Sequence, residues 1–319
     1  MRRIILGDTG IESSALGFGA SSLGSRATEA EGTRALLAAL DAGVTWIDLA
    51  PVYGAGLAEA ITGRALRGRR DEAQICTKVG LRLAGGLKGR LRAAAMPVAR
   101  RVMGRLGALQ GAVRKAAPKA NAKLPITGDL VRSSIEDSLR RLGTDRIEVY
   151  ALHGPSAAEL RDEGVLRALE DVVASGKARA VSVAGDAAAA ADVLALPRGV
   201  IGVLQMPTPG PGAPDPVLPA ARAAGFGAIT HSIMGENLAA LVRRAAEDAD
   251  FRARACAAAG EAEAEPALAR LLMARAFGRN PAGVVLVSML STRSLARNAA
   301  AAAAAPADPA GDGLAALGL

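Results

Sequence analysis

Four polar side chains with complementary chemistry occur near the ends of short apolar runs: Asp48, Tyr53, Lys78 and His153. A carbonyl that accepts hydride becomes an alkoxide and needs a proton donor, but a phenol with an ordinary pKa of about 10 is a weak acid near neutral pH. A nearby ammonium stabilises the phenolate and lowers the pKa of the phenol. We therefore expect Lys78 to acidify Tyr53. Asp48 can hold Lys78 in place, and His153 can hydrogen-bond the carbonyl and orient it.

The chain contains only two Tyr and two His residues, and one of each lies at these positions. Each residue taken alone has an ordinary structural explanation, with Lys78 and Asp48 forming an ion pair and Tyr53 capping a loop. The combination at consecutive strand ends favours a catalytic group. A barrel enzyme in which Lys78 forms a Schiff base with its substrate is an alternative use of the same lysine.

These positions lie in a regular alternation of Val- and Ile-rich strands with amphipathic helices. After a hairpin that begins at Arg3, we predict strands at 16–20, 44–49, 73–79, 146–153, 178–184, 200–206, 227–232 and 283–289. Helices are predicted at 29–42, 58–66, 129–142, 158–174, 187–194, 216–224 and 292–304, with a long helical stretch that breaks near Gly260 and resumes over 266–277. Eight βα units in about 300 residues predict an α/β fold, the (β/α)8 TIM barrel, whose active sites lie at the C-terminal strand ends. A doubly wound sheet is the second possibility, but no GxGxxG follows the first strand.

We expect a single domain over residues 1–319, since α/β barrels of this length form one unit.

The positive charge of the chain is concentrated in one segment. Twelve Lys and Arg residues and no acidic residue lie between Glu72 and Asp129; the net charge is +8, so the rest of the chain carries −4. Apart from Lys78, we assign this charge to a basic insertion, residues 81–128, which follows the third barrel strand and should lie over the barrel mouth. An amphipathic pattern at 100–109 is compatible with a lid that reaches for acidic groups. A solvated loop or a helix packed on the rim is the simpler alternative, and contact with a membrane surface or a protein is the third.

Composition argues against several classes of protein. The basic segment has no aromatic residue, so its charge does not favour nucleic-acid binding. Cys76 and Cys256 lie outside any CxxC or Cys/His cluster, which argues against a metal site or a disulfide framework. No apolar run approaches the roughly 20 residues of a membrane span, and the first residues lack a signal-peptide apolar region. We therefore expect a cytoplasmic protein without a membrane partner.

The segments that carry these residues resemble the aldo-keto reductase family. The matching stretches are LGFGASSLG (16–24), AGVTWIDLAPVYGAGLAEAITGRAL (42–66), CTKVG (76–80), SIEDSLRRLGTDRIEVYALHGP (134–155) and NPAGVVLV (280–287). They are spread over nearly the whole chain. The resemblance implies a (β/α)8 barrel, a nicotinamide cofactor, and a catalytic tetrad in which Tyr53 is the general acid of reduction: Asp48, Tyr53, Lys78 and His153.

The resemblance also implies a cofactor site, which this sequence matches only in part. Gln205 matches the family's carboxamide-binding glutamine, and Asn298 matches its adenine-contacting asparagine. Ala184 and Gly185 replace the usual Ser-Asn pair, and His231 replaces the Tyr that stacks on the nicotinamide ring. The other positions implied to contact the cofactor are Gly19, Ala20, Ser21, Ser232, Ser291, Arg293 and Arg297.

Together these features predict an NAD(P)H-dependent oxidoreductase that acts on a carbonyl, alcohol or sugar-like substrate. Members of this family more often use NADP(H) than NAD(H), so the resemblance favours NADP(H). The usual basic pattern that binds the 2′-phosphate is missing here, and only Ser291, Arg293 and Arg297 can reach that phosphate. Seven aromatic residues in all argue against a pocket for bulky apolar carbonyls. The alternative is a catalytically weak, cofactor-binding or regulatory subunit, which the replaced Ser-Asn pair favours. The oligomeric state is not predicted.

Overall fold

The computed structural model describes residues 1–83, 121–304 and 313–319. Its strands, in chain order, are Arg3–Ile5 (β1), Glu12–Ser14 (β2), Leu16–Gly19 (β3), Trp46–Asp48 (β4), Gln74–Val79 (β5), Leu81–Leu83 (β6), Asn121–Lys123 (β7), Ile147–His153 (β8), Ala178–Ala184 (β9), Ile201–Pro207 (β10), Gly227–His231 (β11) and Val284–Val287 (β12). Eight of them form a closed parallel barrel in the order β3, β4, β5, β8, β9, β10, β11, β12. The antiparallel hairpin of β1 and β2 precedes it. The prediction of a (β/α)8 barrel with an N-terminal hairpin is therefore confirmed.

Helices surround the barrel and bury their apolar faces against it. Their bounds are Glu29–Asp41 (α1), Ala58–Ala65 (α2), Gly128–Leu142 (α3), Glu163–Ala174 (α4), Ala187–Leu194 (α5), Val217–Ala223 (α6), Glu236–Glu247 (α7), Ala249–Ala259 (α8), Ala264–Arg279 (α9) and Thr292–Ala304 (α10). The barrel strands are almost entirely buried, as parallel strands covered by helices must be. None of the helices in the described part of the chain is long and apolar enough to cross a membrane.

The predicted strands agree with the barrel to within two residues at each end, and two helical segments differ. The helix predicted from residue 158 begins at Glu163, because the Asp162 carboxylate accepts a hydrogen bond from the Val165 N–H at 2.8 Å and caps the helix there. The long stretch before the last strand is divided a second time at Asp248. Its carboxylate caps α8 by accepting from the Phe251 N–H at 2.8 Å.

The two ends of the predicted basic insertion pair with each other. The strands β6 and β7 form an antiparallel ribbon in which Leu81 is opposite Lys123. The segment between them, with the amphipathic pattern at 100–109, lies outside the described residues. The position of the insertion over the barrel mouth, and the single-domain assignment, therefore stay predictions.

Candidate active site

The four residues proposed for catalysis line one cavity of about 440 Å³. Asp48 is the last residue of β4, Lys78 lies one residue before the end of β5, and His153 ends β8. These strands are neighbours in the barrel, so parallel register brings their C-terminal ends together. Tyr53 enters the same cavity from the turn after β4.

Lys78 is an ammonium held by two buried oxygens. Its Nζ donates to Asp48 Oδ1 at 2.6 Å and to the Leu49 carbonyl at 2.7 Å, while Lys78 and Asp48 are 1% and 3% exposed. Burial is the largest single effect and lowers the pKa of Lys78, but the charges of Asp48, Tyr53 and Cys76 and the hydrogen bond to Asp48 together outweigh it, so the net pKa is raised. A lysine that forms a Schiff base must attack as the neutral amine, so this direction argues against the Schiff-base alternative.

The Tyr53 ring lies close to both the ammonium and the imidazole of the group. Lys78 Nζ is 4.9 Å from the ring centroid, and the His153 ring meets Tyr53 edge to face at 6.4 Å. Burial raises the pKa of Tyr53, the Lys78 charge and hydrogen bond lower it, and the net pKa is raised. The expectation that Lys78 acidifies Tyr53 is thus correct for the direction of the lysine's effect. It is wrong for the net pKa in this structure, because burial outweighs the ammonium.

A left-handed turn directly after Tyr53 fixes where the phenol lies. Gly54 has φ +57°, and a Cβ placed on it would fall 1.5 Å from the Leu23 carbonyl oxygen. Glycine alone fits both the dihedral angle and the contact. The close approach therefore couples the position of Tyr53 to the segment that follows β3.

We expect Gly54→Ala to lower the free energy of unfolding by about 3 kcal/mol or more, since it combines left-handed strain with a backbone clash. Gly68→Ala is the matched control, because Gly68 has φ +77° and no atom within 4 Å of its added Cβ. It should cost only about 1 kcal/mol. Urea unfolding measures both values, and equal losses would show that the contact with Leu23 does not constrain the turn.

His153 is a neutral imidazole at physiological pH. Burial first, then the charges of Lys78 and His231, lower the pKa of His153 to about 3. Its Nδ1 is buried and has no hydrogen-bond partner among the described residues. A neutral imidazole at this place can hydrogen-bond a substrate oxygen, but it brings no positive charge to that oxygen at neutral pH.

This depressed pKa predicts an acid-side loss of stability. An unfolded histidine titrates near 6.5 and the folded His153 near 3, so the unfolded state binds more protons between these values and stability falls as pH drops below about 6.5. Between pH 7.5 and 5 the wild type should lose about 2 kcal/mol more than His153→Gln. Urea unfolding at the two pH values measures the difference. A His153 ring signal that titrates near 6.5 in the NMR spectrum of the folded protein would contradict the prediction.

The twelve candidate cofactor residues do not all lie in one place. Seven of them share the cavity with the tetrad: Gly19, Ser21, Ala184, Gly185, Gln205, His231 and Ser232. Ala20 is buried and does not line it. The remaining four line neither this cavity nor its neighbour: Ser291 directly precedes α10, Arg293 lies in its first turn, and Arg297 and Asn298 lie near its middle.

At the start of α10, the local contacts differ from residue to residue. Ser291 Oγ accepts from the Ser294 N–H at 3.1 Å, so its side chain is already engaged at the start of the helix. Arg293 and Arg297 are exposed and form no ion pair within the described ranges. Asn298 is 1% exposed, and neither polar atom of its side chain has a partner in that part of the chain.

A second cavity of about 490 Å³ adjoins the first and was not predicted. The two share Ser232 and the residues 286–288, and the second extends to the start of α7 at Gly235, Glu236 and Asn237. These residues carry no spacing signal in the sequence, because they lie in the loop after β11 and in the first turn of α7. Together the cavities form a groove that leads away from the tetrad.

The residues along this groove fit a nicotinamide nucleotide. Gln205 Oε1 is a buried acceptor with no hydrogen-bond partner among the described residues, and His231 offers a flat ring beside the tetrad. The first N–H groups of a helix such as α7 favour anions, although the Glu236 carboxylate opposes them. No cluster of His, Cys, Asp and Glu suited to a metal ion occurs in residues 1–83, 121–304 or 313–319.

Solved structures of similar fold cover nearly the whole chain. Aldo-keto reductase AKR11C1 from Bacillus halodurans, in its holo form, aligns with a TM-score of 0.74 at 22% identity, covering 99% of this chain and 96% of the other. An aldo-keto reductase from Klebsiella pneumoniae in complex with NADPH aligns with a TM-score of 0.67 at 22% identity, with coverages of 99% and 94%. At these identities the likeness shows the fold.

Similarity at the level of sequence identifies the family. A 6-dehydroglucose reductase of Agrobacterium fabrum is 30% identical over 188 residues, which are 57% of this chain and 53% of that protein. The chain spans about half the length of the curated relatives it matches. The model of the aldo/keto reductase family matches residues 15–304. The chain therefore belongs to the aldo/keto reductase family, as its motifs predicted.

Proposed function

We propose that the protein is an NAD(P)H-dependent oxidoreductase that reduces a carbonyl or oxidises the corresponding alcohol, with Tyr53 as the general acid or base. The observation that carries this proposal is the buried Lys78–Asp48 pair beside the Tyr53 phenol and the His153 ring in one cavity. A bound nicotinamide cofactor would supply or accept the hydride.

The residues of the chain manage the proton and the developing negative charge. In reduction, Tyr53 donates its phenolic proton to the substrate oxygen and becomes a phenolate. The Lys78 ammonium stabilises this anion, and the interaction is strengthened because Lys78 is fully buried and Tyr53 partly buried. Asp48 keeps Lys78 charged and fixed. Neutral His153 hydrogen-bonds the substrate oxygen and holds it near Tyr53.

The cofactor is NADP(H) rather than NAD(H) in this proposal. The NADPH complex of the Klebsiella pneumoniae protein supports the use of that cofactor on this fold. The exposed guanidinium groups of Arg293 and Arg297 are the cations available for a 2′-phosphate at the start of α10. Gln205 meets the carboxamide and His231 stacks on the nicotinamide ring. Asn298 contacts the adenine, as in the family.

A small polar or sugar-like substrate suits the cavity best. Tyr53 supplies the single Phe, Tyr or Trp ring among the described residues that line it, and most other lining side chains are polar or small. A relative named 6-dehydroglucose reductase is consistent with a sugar-like substrate. We therefore expect short hydroxylated carbonyls to be reduced faster than bulky aromatic ketones.

A fluorescence titration with NADPH and NADH, followed by a screen of carbonyl compounds, tests the proposal. The expected result is tighter binding of NADPH and its oxidation by at least one small polar carbonyl. Binding without turnover on the whole panel would support the alternative, a cofactor-binding or regulatory subunit, which the absence of side-chain donors at Ala184 and Gly185 favours. Failure to bind either nucleotide would overturn both.

A further inference from the structure

Gln205 is bonded to the catalytic group itself. It lies on β10, is 3% exposed, and its Nε2 donates to Asp48 Oδ2 at 3.0 Å. The other oxygen of that carboxylate, Oδ1, accepts from Lys78. Asp48 therefore holds two side chains at once, one through each oxygen.

This bond fixes which end of the Gln205 amide faces Asp48. An ionised carboxylate only accepts hydrogen bonds, so the NH2 group must point to it. The reversed amide would bring two acceptor oxygens together without a proton between them. Asp48 thus directs Gln205 Oε1 away from itself, and this buried oxygen has no partner among the residues that the structure describes.

A buried acceptor without a partner is costly, and an occupant that brings an N–H donor relieves the cost. Gln205 is the one amide side chain among the described residues that line the tetrad cavity. Ala184, its partner on the neighbouring strand β9, and Gly185, which follows that strand, bring no polar side-chain atom. Recognition of a ligand amide at this point therefore depends on a single side-chain oxygen.

We propose that Asp48, acting through Gln205, is a positioning residue that makes the site select a nicotinamide bearing an N–H donor. Asp48 then has two roles: Oδ1 holds the Lys78 ammonium, and Oδ2 presents the Gln205 oxygen to the carboxamide. This inference rests on the proposed cofactor. It adds that the Asp48–Gln205 bond, and not Gln205 alone, carries the selectivity.

Direct binding of two nucleotides tests the proposal without any turnover. The probes are NADPH and its 3-acetylpyridine analogue, in which a methyl ketone replaces the carboxamide and the N–H donor is lost. We expect the wild type to bind NADPH about tenfold more tightly than the analogue, the value of one buried hydrogen bond. Gln205→Met should abolish the preference. Asp48→Asn, which lets the amide turn either way, should reduce it to less than about threefold.

Tyr53→Phe is the matched control, because it removes an oxygen from the same cavity and leaves the Asp48–Gln205 bond intact; its preference should equal that of the wild type. A wild type that binds both nucleotides equally would overturn this inference and leave the proposed function standing. A wild type that binds neither would remove the proposed function itself. An unchanged preference in Asp48→Asn would assign the selectivity to Gln205 alone and refute the role of Asp48.

Asp48→Asn also removes the counter-ion of Lys78, so this variant can fail to fold. A second measurement, on the wild type, then tests whether Asp48 orients the Gln205 amide. Hydrogen exchange of the Gln205 side-chain amide in the wild type, assigned by the signal lost in Gln205→Met, reports on the bond directly. We expect one strongly protected NH2 proton. Rapid exchange of both protons would contradict the positioning role.

Discussion

Replacing Tyr53 by Phe should lower the rate of carbonyl reduction by about a thousandfold, within the range for loss of a general acid. The substitution removes the proton donor and leaves the ring in contact with Lys78 and His153. Stopped-flow measurement of NADPH oxidation gives the rate, and a fluorescence titration shows whether the cofactor still binds. We expect an unchanged dissociation constant for NADPH.

The second tyrosine of the chain offers a matched control. Tyr150 is fully buried on β8, and its hydroxyl donates to the Val131 carbonyl at 3.1 Å, on the helix side of the strand and away from the cavity. Tyr150→Phe should cost about 1 kcal/mol of stability, the value of one hydrogen bond, and leave the rate unchanged. A Tyr53→Phe variant that reacts within about twofold of the wild type would exclude the acid role.

Replacing Lys78 by Met should abolish turnover and also destabilise the fold by about 3–5 kcal/mol. The ammonium is needed to stabilise the phenolate of Tyr53. Its removal also leaves the buried Asp48 charge without its cation, while the bond from Gln205 remains. Urea unfolding gives the stability, and binding of NADPH should persist in the folded fraction.

Two further variants separate these effects. The double variant Asp48→Asn/Lys78→Met removes both charges, so it should recover much of the lost stability and none of the activity. Lys177→Met is the control for losing a lysine, because its pair with Glu136 is exposed and such pairs contribute about 1 kcal/mol or less. Lys78→Met and Lys177→Met variants of equal stability would contradict the buried-pair account.

The sequence predicted the barrel and the four proposed catalytic residues because both follow from local patterns. Short apolar strands separated by helical segments define a (β/α)8 barrel, and the rule that sites lie at C-terminal strand ends selected Asp48, Lys78 and His153. Tyr53 followed from its distance to the second strand. These inferences need only the order of elements and the type of residue at each strand end.

The remaining features depend on three-dimensional burial and on loops. The net pKa of Tyr53 was misjudged because its burial was not visible in the sequence. The bond from Gln205 to Asp48 joins residues 157 positions apart. The second cavity was missed since Glu236 and Asn237 are the first two residues of α7, where the sequence has no periodic signal. The division of the long helix at Asp248 required its cap to be seen.

The pH profile of single-turnover NADPH oxidation tests most directly whether Tyr53, beside Lys78, delivers the proton. If it does, the rate constant stays level from about pH 6 to 9, since both histidines have lowered pKa values and Tyr53 a raised one, and falls only at higher pH as the phenol ionises. A rate that follows an ionisation near pH 6.5 would make a histidine the proton donor and contradict the role of Tyr53.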